Sequence, residues 1–271
     1  MAEQRVVVVT GASRGIGVVI AEDLASDGGT LVLSARDAAG LEATAARVRA
    51  KGARAVVVPG DVTRAEDRAR LVAAAEAEGP VEVLVNNAGV EIPIAILDQT
   101  EADIDQQVRV NLLGPIHLTR AMAPAMVARG RGVVVMVSSM SGKSPTPYNG
   151  IYTATKFGIN GFAASLRLEL EGTGVHVGVV CPSFVSDAGM WSDAGVPAPR
   201  AMREVSPAAV AKGVRKVIGG KAEVLVTPAP VRPMLALGQF FPTIDGPALR
   251  LLGVMEALKA RSAVALRRRA G

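Results

Sequence analysis

Apolar residues along this 271-residue chain follow two alternating rhythms. Short β-branched runs, such as "VVVV" from Val6 and "GVVVMV" from Gly132, alternate with longer Ala-, Leu- and Arg-rich stretches whose apolar positions recur at helical spacing. The pattern predicts strands over residues 5–10, 30–35, 53–59, 81–86, 132–138, 175–181 and 223–227. Helices are expected between them, the longest over 101–129 and 152–171. Strands that are apolar at consecutive positions need cover on both faces, which a parallel sheet flanked by helices provides. The expectation is an α/β fold, a doubly wound and mostly parallel sheet with helices on both faces. Ligands of such sheets sit at the carboxyl ends of the strands.

Two stretches break the rhythm. Residues 184–207 hold prolines and little periodicity, and are expected to form a mobile loop over the site. Beyond Pro228, further prolines lead into an apolar helical stretch over 247–266. The expected organisation is one α/β domain over 1–228, with 229–271 as an apolar and basic helical C-terminal extension of it.

Composition and charge then exclude several classes. The formal charge is +5, but residues 247–271 carry six basic groups against Glu256 alone, so the body of the chain is neutral. A global cationic field for nucleic acid is therefore not expected. Cys181 is the single cysteine, so no intramolecular disulfide can form. His117 and His176 lie far from each other and from the motifs below, and no metal site is expected. The first ten residues lack the architecture of a signal peptide, and no run of about 18 apolar residues could span a bilayer. A cytoplasmic protein is expected.

The first strand runs into "TGASRGIG", Thr10 to Gly17, and then into a helix. Gly11 permits a tight turn, Gly15 lets backbone approach a pyrophosphate, and Gly17 allows close packing of helix on strand, with the helix N-terminus attracting negative charge. This is the layout of a dinucleotide site. At the end of the second strand, "LSARD" has Ala35 and Arg36 where an NAD site places an acid. Arg36, joined by Arg14, suits a 2′-phosphate, so NADP(H) is preferred and NAD(H) is the alternative, with Asp37 the residue that favours it. Asp61 in "GDVT" suits the adenine amino group, or else a helix N-cap. "NNAG", Asn86 to Gly89, ends the fourth strand with amides that need partners.

Tyr152 and Lys156 stand i, i+4 at the start of a helix and share a face. A nearby ammonium is expected to bring the tyrosine from near 10 toward a working value. Ser139, just past the fifth strand, is placed to hold a substrate oxygen, while Ser138 and Ser141 share its chemistry or form turns. Asn111 is polar within an apolar helix, where it anchors a water linked to Lys156 or is an ordinary interior asparagine.

Taken in order, "TGASRGIG", "DV", "NNAG", Asn111, "SS" at Ser138 and Ser139, and "YTATK" resemble the short-chain dehydrogenase/reductase family over residues 5–186. The resemblance implies a seven-stranded Rossmann-type sheet, catalysis by Ser139, Tyr152 and Lys156, and Asn111 as support for the proton relay. It implies cofactor contacts from Gly11, Ser13, Arg14, Gly15, Ile16 and Gly17, and from Arg36, Asp61 and Val62. Further contacts are implied for Asn87, Ala88 and Gly89, for Tyr152 and Lys156, and for Pro182, Val185 and Ser186. It also implies a homodimer or homotetramer built on the long helices.

The chain departs from that family after the sixth strand. "CPSFVSD" has Ser183 in place of a glycine and Ser186 at the position of a threonine that holds the nicotinamide amide. No glycine-rich end follows "AEVLVTP"; a tail with Phe240, Phe241, Leu249, Leu251, Leu252, Met255 and Leu258 takes its place. So many apolar groups need cover. The candidates are the domain itself, a second subunit, a peripheral membrane contact with arginines on anionic headgroups, or a lid over a lipophilic substrate. The reading as a whole is an oxidoreductase that moves a hydride between NADP(H) and a small lipophilic ketone, aldehyde or secondary alcohol. The alternative is a dinucleotide-sensing protein without turnover.

Overall fold

The computed structural model describes residues 5–199, 203–228 and 230–270. Met1 to Gln4, residues 200–202 of the proline-containing loop, Ala229 at the start of the tail and Gly271 at its end lie outside the described residues.

Seven strands form one sheet, β1 (Val6–Thr10), β2 (Thr30–Ala35), β3 (Arg54–Pro59), β4 (Val81–Asn86), β5 (Gly132–Val137), β6 (Val175–Pro182) and β7 (Glu223–Val226). Their order is β3-β2-β1-β4-β5-β6-β7 and every pairing is parallel. The order reverses between β1 and β4, and that switch point opens a crevice at the carboxyl ends of the strands.

The unbroken valines of β1 explain the layers. Val7 and Val9 face one core with Leu31, Leu33, Val83 and Val85, covered by α1 (Ile16–Ala25), α2 (Ala38–Ala50) and α7 (Pro207–Ile218). Val6 and Val8 face the other with Val32, Leu84, Val134 and Met136, under α3 (Ala65–Ala77), α5 (Gly114–Arg129) and α6 (Gly150–Glu169). Period-two alternation sends successive side chains to opposite faces, so a strand with helices on both sides must be apolar throughout.

The long helix expected over 101–129 is interrupted. α4 (Glu101–Val108) begins at a capping box on Thr100 and Asp103, passes into a π turn at Arg109–Leu113, and resumes as α5. Such a turn carries one extra residue per turn and rotates the side chains that follow it. Asn111 lies inside it, which hydropathy spacing could not reveal.

The C-terminal extension is helical, as α8 (Arg232–Phe240), α9 (Asp245–Leu251) and α10 (Val254–Ala270). Val254 and Leu258 of α10 pack on Trp191, with Leu249 and Leu252 beside them. Arg269 pairs with Asp103 at 2.7 Å and Arg268 donates to the Asp193 carbonyl at 2.9 Å, so the basic tail is folded onto the domain. Phe240 remains 80% exposed and Leu251 88%, and these are left for some other contact.

Candidate active site

The glycine loop is built by close approach. Gly11 and Gly15 take φ of 66° and 63°, a region that favours glycine. A Cβ on Gly17 would fall 2.1 Å from the Gly11 carbonyl oxygen, and one on Gly11 would fall 2.8 Å from the Ala88 Cα. The "NNAG" segment holds this loop from the other side. Asn87 Nδ2 donates to the Thr10 and Gly11 carbonyls at 3.0 and 3.1 Å, and Thr10 Oγ1 accepts from the amides of Asn87 and Ala88. Asn86, by contrast, bonds Thr119 in the core at 3.2 Å.

The cradle fits a dinucleotide phosphate, because Gly15 opens the α1 N-terminus with no side chain above it. Arg36 is exposed at the end of β2. Asp37 is engaged as the N-cap of α2, accepting from the Gly40 amide at 3.1 Å, which leaves Arg36 as the free charge at that edge among the described residues. Arg14 is paired with Asp193 at 2.7 Å rather than standing open. Asp61 does not cap α3, whose N-cap is Arg64; its Oδ1 accepts from the Thr63 amide at 2.8 Å. Val62 lies against Gly114 and Ser13 against Gly40. Ser186 Oγ points to the Val205 carbonyl at 3.5 Å in this structure.

A cavity of about 400 Å³ opens beside the glycine loop. Ser139, Tyr152 and Lys156 lie along it, next to Ile16, Asn87 and Gly89. Pro182 and Val185 also reach it. The carboxyl edge of the sheet thus brings the three proposed reacting residues together. Ser139 acts on the Tyr152 hydroxyl as a downward influence on its pKa, and its Oγ accepts from the Ser141 amide at 3.1 Å. Lys156 Nζ stands 5.4 Å from the Tyr152 ring centroid and donates to the Val137 carbonyl at 2.9 Å.

The electrostatics differ from the expectation for tyrosine. Burial first, and the Glu91 carboxylate second, push Tyr152 above its ordinary range, outweighing the Ser139 hydrogen bond and the Arg261 charge that act downward. Burial also depresses Lys156 to about 8, against smaller upward effects of Cys181 and Glu91. Desolvation disfavours each charged form and dominates both groups. Asn111 spends its side chain locally: Oδ1 accepts from the Val90 amide and Nδ2 donates to the Val90 carbonyl, each at 2.8 Å, with Thr155 Oγ1 at 3.3 Å.

Most of the cavity wall is apolar and comes from segments without motif character. Phe184, Met190 and Trp191 contribute from the loop, Met234 and Leu235 from α8, Leu258 from α10. The expected loop over the site is therefore present. Glu91, Asn149 and Arg261, polar residues of the wall, were not singled out as site residues from sequence. A lone acid in the apolar stretch "GVEIPIAI" was the available signal for Glu91. His176 meets the Lys221 carbonyl at 3.2 Å, and no cluster of metal-ligating side chains occurs among the described residues.

Comparison with known proteins shows the family and the fold. The short chain dehydrogenase family model matches residues 5–196. Ketoacyl reductase HetN of Nostoc sp. is 38% identical over 265 residues, 95% of this chain and 92% of its own length. Dehydrogenase/reductase SDR family member 7B of Bos taurus is 34% identical over 247 residues, 86% of this chain and 75% of its own. A metagenomic short-chain oxidoreductase in complex with NADP superposes with a TM-score of 0.71 at 35% identity, covering 83% of this chain and 97% of its own. An actinorhodin polyketide ketoreductase with NADPH gives a TM-score of 0.76 at 32% identity, with 83% and 96% covered.

Proposed function

The chain belongs to the short-chain dehydrogenase/reductase family, and from that premise we propose that it is an NADP(H)-dependent oxidoreductase of small lipophilic ketones, aldehydes or secondary alcohols. The observation that carries the proposal is the apolar cavity with Ser139, Tyr152 and Lys156 at its edge and the glycine loop beside it. The domain over 1–228 supplies the glycine loop and the three reacting residues, and 229–271 extend the same domain and add apolar wall to its cavity. NADP(H) use is supported by the engagement of Asp37 as an N-cap and the exposure of Arg36; NAD(H) would lack the charge that Arg36 is placed to meet.

In this reading the glycine loop and the α1 N-terminus hold the pyrophosphate, Arg36 holds the 2′-phosphate, Arg14 joins it only on leaving Asp193, and Asp61 faces the adenine. A bound nicotinamide ring supplies the hydride donor or acceptor. Ser139 holds and polarises the substrate oxygen, and Tyr152 gives that oxygen its proton on reduction and takes it back on oxidation. Burial keeps Tyr152 protonated, the form that donates. Lys156 presents its ammonium beside the ring and orients the ribose. Asn111 locks Val90 to Thr155, and the π turn around it disrupts the usual carbonyl ladder where a relay water is needed.

We further place the protein in the cytoplasm as a homodimer or homotetramer joined through the π turn with α5 and through α6, where Leu113, Phe157 and Leu168 are exposed. A contact with membrane surfaces through the exposed apolar side of α8 and α9 is the matching proposal for the tail.

The test is Tyr152→Phe. It should lower kcat by roughly 10²–10⁴-fold with NADPH binding, followed by fluorescence, essentially unchanged. Wild-type turnover absent across a panel of lipophilic ketones, with NADPH still bound, would instead leave the dinucleotide-sensing alternative standing.

A further inference from the structure

Glu91 and Arg261 form a fork-to-fork ion pair inside the cavity wall, 2.5 Å from Nη1 to Oε1 and 2.6 Å from Nη2 to Oε2, with side chains 8% and 5% exposed. One partner follows β4 and the other lies on α10, 170 residues later. The same guanidinium donates to the Met190 carbonyl at 2.6 Å and lies 5.1 Å from the Trp191 ring, so it also fastens the loop over the site. The same carboxylate accepts from Asn149 Nδ2, and Asn149 is the N-cap residue of α6, three positions before Tyr152. Tyr148, just before it, is held at φ 61°, a conformation that persists for a bulky residue only where its surroundings enforce it.

A buried ion pair is an expensive way to gain stability, since apolar residues of equal volume commonly do as well. This one is also incompletely satisfied: Arg261 Nε and Asn149 Oδ1 are buried without partners among the described residues. Stability alone therefore does not account for it. Its position does, because it joins the post-β4 segment, the loop, α10 and the first turn of the helix that carries the reacting tyrosine.

We propose that Glu91 and Arg261 are positioning residues of the reaction, a charge-balanced clasp that docks α10 as a wall of the site and fixes the first turn of α6 and the charge around the Tyr152 hydroxyl. The inference rests on the oxidoreductase reading above. The groups facing Tyr152 are Ser139 after β5, Glu91 after β4, Arg261 on α10 and Cys181 on β6, with Lys156 on its own helix. The two clasp charges act on it with opposite sign.

Oxidation of a secondary alcohol by NADP⁺ requires Tyr152 to lose its proton, so kcat/KM climbs toward high pH as this group deprotonates, and the position of that limb reports it. Glu91→Gln leaves Arg261 unopposed and should move the limb to lower pH, by roughly half to one unit. Arg261→Met should move it to higher pH, and the double variant should return it near the wild-type position. Opposed shifts with rescue are not what a merely structural role produces. Shifts of both single variants in one direction, or no shift in either, would overturn the proposal. If Arg261→Met does not fold, the downward shift in Glu91→Gln and its reversal in the double variant decide the matter.

Hydrogen exchange of the NADPH-bound protein provides a readout without turnover. Both single variants should lose amide protection in residues 149–153 and 254–262 together, whereas loss confined to α10 would count against the clasp. Should the wild type turn over no alcohol, the function proposed above fails, and the exchange result still decides whether the pair positions α6.

Discussion

Lys156→Met is expected to make the protein more stable and inactive. The wild-type ammonium is 4% exposed, and burial brings it from an ordinary 10.5 to about 8. At ~1.36 kcal/mol per pH unit, keeping the proton on that buried amine at pH 7 costs roughly 3 kcal/mol relative to the unfolded chain. Methionine has similar volume and no charge. It forfeits the hydrogen bond from Nζ to the Val137 carbonyl, a loss of about 1.5–3 kcal/mol for a charged donor. The balance is a gain of up to about 1.5 kcal/mol, or a few degrees in Tm. The gain has a pH signature. Below about 8 the amine is protonated in both folded and unfolded chains and the penalty is constant. Between about 8 and 10.5 the unfolded chain still binds a proton that the folded chain has released, so wild-type stability rises with pH by up to ~1.36 kcal/mol per unit. The variant has no such group, and its advantage should shrink across that window. Urea unfolding followed by the fluorescence of Trp191, the single tryptophan, measures this from pH 7 to 10. A variant less stable than wild type at pH 7, or a difference that is flat with pH, would refute the reasoning.

Other substitutions separate the remaining roles. Arg36→Ala should raise KM for NADPH about tenfold or more, the worth of one charge-assisted contact, and leave KM for NADH unchanged; equal changes in steady-state assays with the two cofactors would remove the 2′-phosphate assignment. Gly17→Ala places a Cβ 2.1 Å from a backbone oxygen and should cost at least ~3 kcal/mol, read as a lower urea midpoint; an unchanged midpoint would mean the loop can move aside. Phe240→Ser with Phe241→Ser should abolish co-sedimentation with anionic vesicles without lowering turnover of a water-soluble ketone. Wild-type protein that does not sediment with vesicles would rule out the membrane contact proposed for the tail.

Local chemistry made the fold and the geometry of the glycine loop legible. β2 and β4 have the bounds that their apolar runs indicated, and the other strands differ by a residue at one end, because a strand covered on both faces has no freedom to be polar. The glycine loop was readable because Gly11, Gly15 and Gly17 answer to backbone geometry within one turn. Tyr152 and Lys156 were readable because helical spacing alone puts them on one face. Arg14 was less so: sequence placed a cation in the loop, but its pairing with Asp193 depends on where a distant segment folds.

What sequence determined, then, is everything governed by neighbours along the chain: the alternation of strands and helices, the glycine turn after β1, and the residue types at the carboxyl edge. Tertiary structure decided the charges and the enclosure. It raised Tyr152 where a lowered value was expected, because burial and the Glu91 carboxylate outweigh the downward influences on it. It also brought Arg261 across 170 residues to close the site. Desolvation and long-range ion pairing depend on what is packed around a group in space, and no spacing along a chain encodes that.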